Sequence, residues 1–199
     1  MAIAYLYVLP LHGEDWLKLG ISNDPLRRAR EFAPRFHETF DLAEAFVVET
    51  EVRKDAAALE KSLRHTLRLH RAPMPLTIRQ GAGGHTEWLR GAHPHLLEAC
   101  RESPLASVVH YPATPWFADA QWQTRTRLHT WASGLLREFL LDPDASGLTT
   151  LPAGLRAQLH DAIDTFHAFG QRVGDHLPHA LQSWYAALPD LPGTGEGPV

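Results

Sequence analysis

Four side chains whose types suit work on anions and protons fall within the first sixty residues: Tyr7, Lys18, Arg28 and Glu60. Arginine offers a planar fork that matches phosphoryl oxygens bidentately, and Arg28 is placed one turn into a helix, near the positive end of its dipole. Lys18 adds a point charge able to lower the ionisation of a nearby phenol from its usual value of about 10. Tyr7 is the candidate phenol, and Glu60 borders an apolar helical stripe from which it can look into a cleft. Together these types could hold a phosphate, stabilise charge on it and move a proton. Each also has a plainer role. Tyr5 and Tyr7 are good strand formers, and Lys18 could be a solvated strand residue. Arg27 has Glu31 four residues on, and Glu60 has Arg64, so both could form ordinary helix-surface ion pairs.

The elements that must position these residues are legible nearby. Residues 3–9 are apolar on both faces, as a central strand covered on each side should be, and residues 16–22 read as its antiparallel partner across the loop Pro10–Asp15. Alternation sets Lys18 opposite in orientation to Leu17, Leu19 and Ile21, so one face of this hairpin can present Tyr7 and Lys18. Asp24 is a good N-cap with Pro25 at the first helical position, and Pro34 stops that helix near Ala33. A third strand is predicted over residues 42–50 and a second helix over 55–71, with the stripe Ala56, Leu59, Leu63, Leu67. Gly81–Gly84 reads as a mobile loop, Thr86–Leu89 as a short strand-like segment, and Pro94–Arg101 as a helix.

The order β-β-α-β-α predicts an α+β fold: a small antiparallel three-stranded sheet flanked by helices, followed by a mostly α-helical C-terminal region. The expected domains are residues 1–103, a proline-punctuated linker at 104–117, a helical domain at 118–189 and a disordered tail at 190–199. In the helical part, Trp122, Leu128, Trp131, Leu135 and Phe139 suit one amphipathic helix over 118–140, broken by Asp142–Thr150. Leu155, Leu159, Ile163, Phe166 and Phe169 suit a second region over 153–188, with Gly174 and Pro178 as interruptions.

With 44% hydrophobic residues among 199, the chain has a normal globular core. It holds no run of 18 uncharged apolar residues and no leader-like N-terminus, so a cytoplasmic location is expected, with no membrane partner. A single cysteine, Cys100, excludes an internal disulfide framework and a multi-cysteine zinc site, and reads as a small buried hydrophobe. The net charge of −4 conceals an asymmetry: residues 1–91 carry 13 Lys+Arg against 12 Asp+Glu, whereas residues 92–199 carry 6 against 11. A polyanion would therefore bind the N-terminal part. The thirteen histidines, among them His93 and His95 or His65 and His70, lack a His-Glu-x-x-His spacing. Gly81–Gly84 lacks the Lys-Ser/Thr of a phosphate-cradling loop, and Trp116, Trp122, Trp131 and Trp184 read as core or interface anchors.

Residues 3–91 resemble the GIY-YIG nuclease superfamily. Tyr5-Leu6-Tyr7 stands at its first tripeptide, and Lys18-Leu19-Gly20 at its second, with lysine in place of tyrosine as in the phage-type branch. Arg28 matches the family arginine, Glu60 its metal-binding glutamate, and Glu87-Trp88-Leu89 the segment that closes the domain. Phe32 stands where members often carry histidine or tyrosine, and Arg64 where the branch commonly has histidine. The resemblance implies one-step hydrolysis of a nucleic-acid phosphodiester, with DNA the expected substrate. Tyr7 would help take the proton of an attacking water, Arg28 and Lys18 would stabilise the scissile phosphate, and Mg²⁺ or Mn²⁺ on Glu60 would hold the leaving oxygen. The C-terminal helices are expected to bind a protein partner or to self-associate. The alternative is a non-catalytic module that keeps this fold to bind nucleic acid or protein.

Overall fold

A first strand apolar on both faces needs two covering layers, and the computed structural model supplies them; it describes residues 3–78, 81, 83, 84, 86–139 and 151–186. Strands β1 (Ala4–Pro10) and β2 (Trp16–Ser22) pair antiparallel, with Tyr7 opposite Gly20 and Leu9 opposite Lys18. Helix α1 (Pro25–Phe32) begins as its sequence requires: the Asp24 carboxylate accepts from the Arg27 N–H at 2.9 Å, and Pro25 occupies the first turn, where its missing N–H costs nothing. A single turn, α2 (Phe36–Thr39), follows. Strand β3 (Phe46–Thr50) pairs with the other edge of β1, and α3 (Arg53–Thr66) leads through a 3₁₀ turn at Arg68–His70 into β4 (Arg71–Ala72). Then come β5 (Trp88–Arg90), α4 (His93–Glu102) and β6 (Val108–His110).

The fold is α+β as predicted, but the sheet has six strands in the order β4-β5-β2-β1-β3-β6, every pairing antiparallel, rather than three. The three added strands are two or three residues long, too short for a period-two pattern to show, although the strand-like reading of Thr86–Leu89 overlaps β5. β3 also starts at Phe46 instead of residue 42. The Asp41 carboxylate accepts from the N–H groups of Ala43 and Glu44, and its carbonyl accepts from Ala45 N–H at 2.8 Å, so residues 41–45 form a turn. Residues 104–117, the expected linker, carry β6 and the buried Phe117.

Register sorts the side chains into two layers, because residues paired across an antiparallel ladder share a face. Leu6, Val8, Leu17, Leu19, Phe46, Val48 and Leu89 form one face and pack against Leu59 and Leu63 of α3 and Leu96 and Cys100 of α4. The opposite face holds Tyr7, Lys18, Gly20 and Trp88. It is covered by α1, whose Phe32 ring meets Trp88 and Phe40 edge-on at 6.2 Å each.

The chain divides into two compact units, residues 1–120 and residue 121 onward. The remaining helices are α5 (Thr114–Gln123), α6 (Arg125–Phe139), α7 (Ala153–Ala168) and α8 (His179–Ala186). The single helix expected over 118–140 is two helices: at Thr124 the hydroxyl donates back to the Gln121 carbonyl at 2.8 Å, while the Thr124 carbonyl accepts the first bond of α6 from Leu128 N–H. In the second unit Leu128, Ala132, Leu159, Ile163, Phe166, Leu177 and Leu181 make a core of their own. The predicted break at Asp142–Thr150 and the predicted tail at 190–199 lie outside the described residues, as does part of the Gly81–Gly84 loop. No helix among the described residues is long and apolar enough to cross a membrane.

Candidate active site

An unequal pairing opens the site. On its outer side β2 pairs with β5 at Trp16–Lys18, and the Leu19 N–H donates to the Glu87 carbonyl at 3.0 Å. Beyond Leu19 that edge has no further ladder partner among the described residues, and a cleft of about 710 Å³ opens there. Tyr7, Ile21, Asn23, Arg28, Arg53, Glu60, Gly84 and Glu87 contribute to its walls. Arg28 comes from α1 on one face of the sheet and Glu60 from α3 on the other, so the two layers meet only around this open edge. Arg53, the first residue of α3, donates to the Asn23 side chain at 3.4 Å and spans the same gap.

Tyr7 is packed down to 1% exposure, yet it is among the residues that line the cleft. The ring lies directly over Gly20: a Cβ built there would sit 2.6 Å from Cζ of Tyr7 and closer still to its hydroxyl oxygen. Glycine is needed at this position for the space its missing side chain leaves. The Arg28 guanidinium donates to the phenolic oxygen, and also pairs with Glu31 and lies over the Phe32 ring at 4.9 Å. Burial pushes the Tyr7 phenol up to about 12, and the negative charges of Glu87 and Glu60 oppose its ionisation further, against a partial offset from Arg28. Arg28 itself is held more firmly protonated than a free arginine, because its bonds to Tyr7 and Glu31 outweigh its desolvation.

Lys18 lies one layer beneath the cleft, fully buried. Its ammonium donates to Glu87 Oε2 at 2.5 Å and to the Leu19 carbonyl at 2.8 Å, and sits 5.6 Å and 6.0 Å from the rings of Phe32 and Trp88. Burial lowers its pKa, against the pull of Glu87 and Glu60. The expected influence of Lys18 on the phenol is therefore replaced by another arrangement: Glu87 neutralises Lys18, and Arg28 is the cation bonded to Tyr7. Gly84 covers the pair. Its φ is +70°, and a Cβ there would sit 2.9 Å from both the Lys18 ammonium and the Glu87 carboxylate.

Glu60 is half-buried, and its pKa is raised first by burial and then by the charge of Glu87, with Arg64, Lys18 and Arg53 opposing. Its carboxylate makes no hydrogen bond or ion pair among the described residues, whereas one Glu87 oxygen is already held by Lys18. No cluster of three or more His, Cys, Asp or Glu side chains occurs among the described residues. One hard oxygen donor facing an open cleft suits Mg²⁺, which keeps most of its waters, and does not suit a cation that demands a full protein cage. The structure thus brings Tyr7, Arg28 and Glu60 to one cleft and places Lys18 behind it. Glu87 is the residue that sequence reasoning left out of the site. In the sequence it stands out only as the sole acidic residue between Glu60 and Glu98; the need of a buried lysine for a carboxylate emerges once the fold shows Lys18 buried.

Fold and site together define an α+β domain with cationic and acidic side chains gathered at an open sheet edge. The family model described as the T5orf172 domain matches residues 4–103, and the chain belongs to that family. This is a nuclease-associated domain, so membership suggests a nuclease-like or nucleic-acid-binding role. No curated protein and no solved structure matches the chain.

Proposed function

We propose that the chain is a metal-dependent endonuclease of the GIY-YIG kind, cutting nucleic-acid phosphodiester bonds, with DNA the expected substrate. The observation that carries this reading is the meeting of Tyr7, Arg28 and Glu60 on one cleft from three separate elements. The guanidinium of Arg28 binds a non-bridging oxygen of the scissile phosphate and stabilises the charge that grows there. Its bond to Tyr7 also fixes where the phenolic oxygen stands. As phenolate, that oxygen accepts the proton of a water whose oxygen attacks phosphorus, while the bond from phosphorus to the leaving oxygen breaks. Lys18 acts at one remove: paired with Glu87 under Gly84, it holds the cleft floor in place. Glu60 would hold Mg²⁺ or Mn²⁺, which when bound supplies positive charge toward the leaving oxygen.

The competing reading, a nucleic-acid-binding module that does not cut, draws on the burial of Tyr7 and on the height of its pKa. Supercoiled plasmid separates the two. With Mg²⁺ or Mn²⁺ the wild type is expected to nick it, Tyr7→Phe to be slower by about 10²-fold or more, and Glu60→Gln to be inactive. Cleavage that survives both substitutions refutes the mechanism. Salt-sensitive DNA binding without cleavage by the wild type establishes the module.

A further inference from the structure

Between Glu60 and Glu87 the chain carries five basic residues, Lys61, Arg64, Arg68, Arg71 and Arg79, and no acidic residue at all. Elsewhere in the first 91 residues acidic and basic side chains are interleaved, so this run concentrates the positive charge of a nearly neutral unit. Within it stand two of the four large apolar side chains that are most exposed among the described residues: Leu69, 88% exposed, and Leu76, 97% exposed. Leu69 is the middle residue of the 3₁₀ turn, flanked by Arg68, His70 and Arg71. Leu76 sits on a turn closed by a bond from Ile78 N–H to the Pro75 carbonyl at 3.2 Å, with Pro75 and Ile78 buried beneath it. Prolines at 73 and 75 restrict the chain that presents it. Neither Arg68 nor Arg71 enters an ion pair or side-chain hydrogen bond among the described residues.

We propose that this strip, Arg64 to Leu76, is the surface that docks DNA beside the cleft. The arginines take phosphates, and Leu69 and Leu76 press as apolar wedges against sugars and base faces. The proposal rests on the nucleic-acid reading above and adds where the substrate lies. A protein partner of ordinary composition gives no reason for a run without a single carboxylate, whereas a polyanion requires that carboxylates be kept away. Exposed leucine among arginines is the pairing by which proteins hold a backbone and lean on the stack at once. Placement agrees. Glu60 stands at the cleft, Arg64 follows one turn later, and α3 ends at Thr66, roughly 9 Å further along its axis from Glu60. That span is about three nucleotide steps of one strand. The strip continues into β4, which pairs with β5 directly after the cleft residue Glu87.

The test is binding of the full chain to a fluorescein-labelled DNA duplex in EDTA, by anisotropy, between about 50 and 200 mM salt. Each phosphate contact contributes about 0.9 to the slope of log K against log salt, so Arg68→Ala/Arg71→Ala should flatten that slope by about 2 and weaken binding at low salt. Leu69→Ser should weaken binding about tenfold and leave the slope unchanged, because an apolar contact releases no counterions. Circular dichroism checks that these surface variants fold. Wild-type binding whose slope and affinity are untouched by the arginine pair overturns the strip and leaves the nucleic-acid reading standing. An unaltered affinity for Leu69→Ser overturns the wedge. A wild type that binds no DNA overturns both the strip and the reading beneath it.

Discussion

Gly20→Ala is the substitution whose effect the geometry fixes most sharply. Gly20 lies in the interior of β2, and its backbone lies outside the left-handed region, so alanine meets no conformational penalty there. In an ordinary strand that replacement stabilises by roughly 0.5–1 kcal/mol, through reduced freedom of the unfolded chain. Here the added Cβ would stand 2.6 Å from Cζ and 3.1 Å from Cε2 of Tyr7, where carbon atoms prefer about 3.5–4.0 Å. The ring must retreat by about 1 Å into a packed layer, and overpacking of this kind costs about 1–3 kcal/mol. The net sign is destabilising, with a fall in melting temperature of about 2–4 °C for each kcal/mol in a chain of this length. The decisive assay repeats the substitution in a Tyr7→Leu background, whose side chain lacks both colliding atoms. There Gly20→Ala should be stabilising, so the two measurements differ in sign, and by about 1–3 kcal/mol in a double-mutant cycle, the cost of the clash alone. An equal effect in both backgrounds would refute the contact. In the wild-type background the displaced phenol should also lower cleavage by about 10²-fold.

The Glu60 carboxylate has a raised pKa, so the folded chain binds its proton more tightly than the unfolded chain, and its ionised form detracts from stability at neutral pH. Glu60→Gln is expected to melt higher than wild type at pH 7, with the gain shrinking as pH falls through the folded-state pKa toward the ordinary 4.5; a lower melting temperature at pH 7 contradicts this. With the Tyr7 phenol at about 12, phenolate is scarce at neutrality, and kcat/KM for cleavage should climb about tenfold per pH unit between about pH 6 and 9. A flat profile over that range excludes phenolate as the proton acceptor. Cys100 is fully buried, with its thiol pushed up to about 12 by that burial, so iodoacetamide should label it only in denaturant. Prompt labelling of the native chain would mean that the layer under α4 opens readily.

What could be read from the sequence depended on length and on local chemistry. β1, β2, α1 and α3 were legible because each is long enough to show a period and because Asp24-Pro25 marks a helix start through bonds made within a few residues. The strand-like segment Thr86–Leu89 overlaps β5, but β4 and β6 were not legible, since strands of two or three residues owe their existence to partners distant in sequence. The same holds within the site. Arg28 and Glu60 could be placed by counting turns, but a charged side chain at position 18 gives no sign from within β2 that it is fully buried. Its partner Glu87 lies 69 residues away. The break at Thr124 was hidden for the opposite reason: the helical period continues across it, and the Thr124 hydroxyl and N–H both turn back to the Gln121 carbonyl there.

The delivery of Arg28 and Glu60 from opposite faces of one sheet gives the cleft a mechanical gauge. Its width is set by the thickness of a single β-layer, which is invariant, while the loops that lead into and out of each helix are free to vary in length. Each jaw can thus be adjusted by itself: repacking Leu26, Ala29 or Phe32 shifts Arg28, and repacking Leu59 or Leu63 shifts Glu60. Under the proposed mechanism, this separates grip on the phosphate from grip on a cation into two controls.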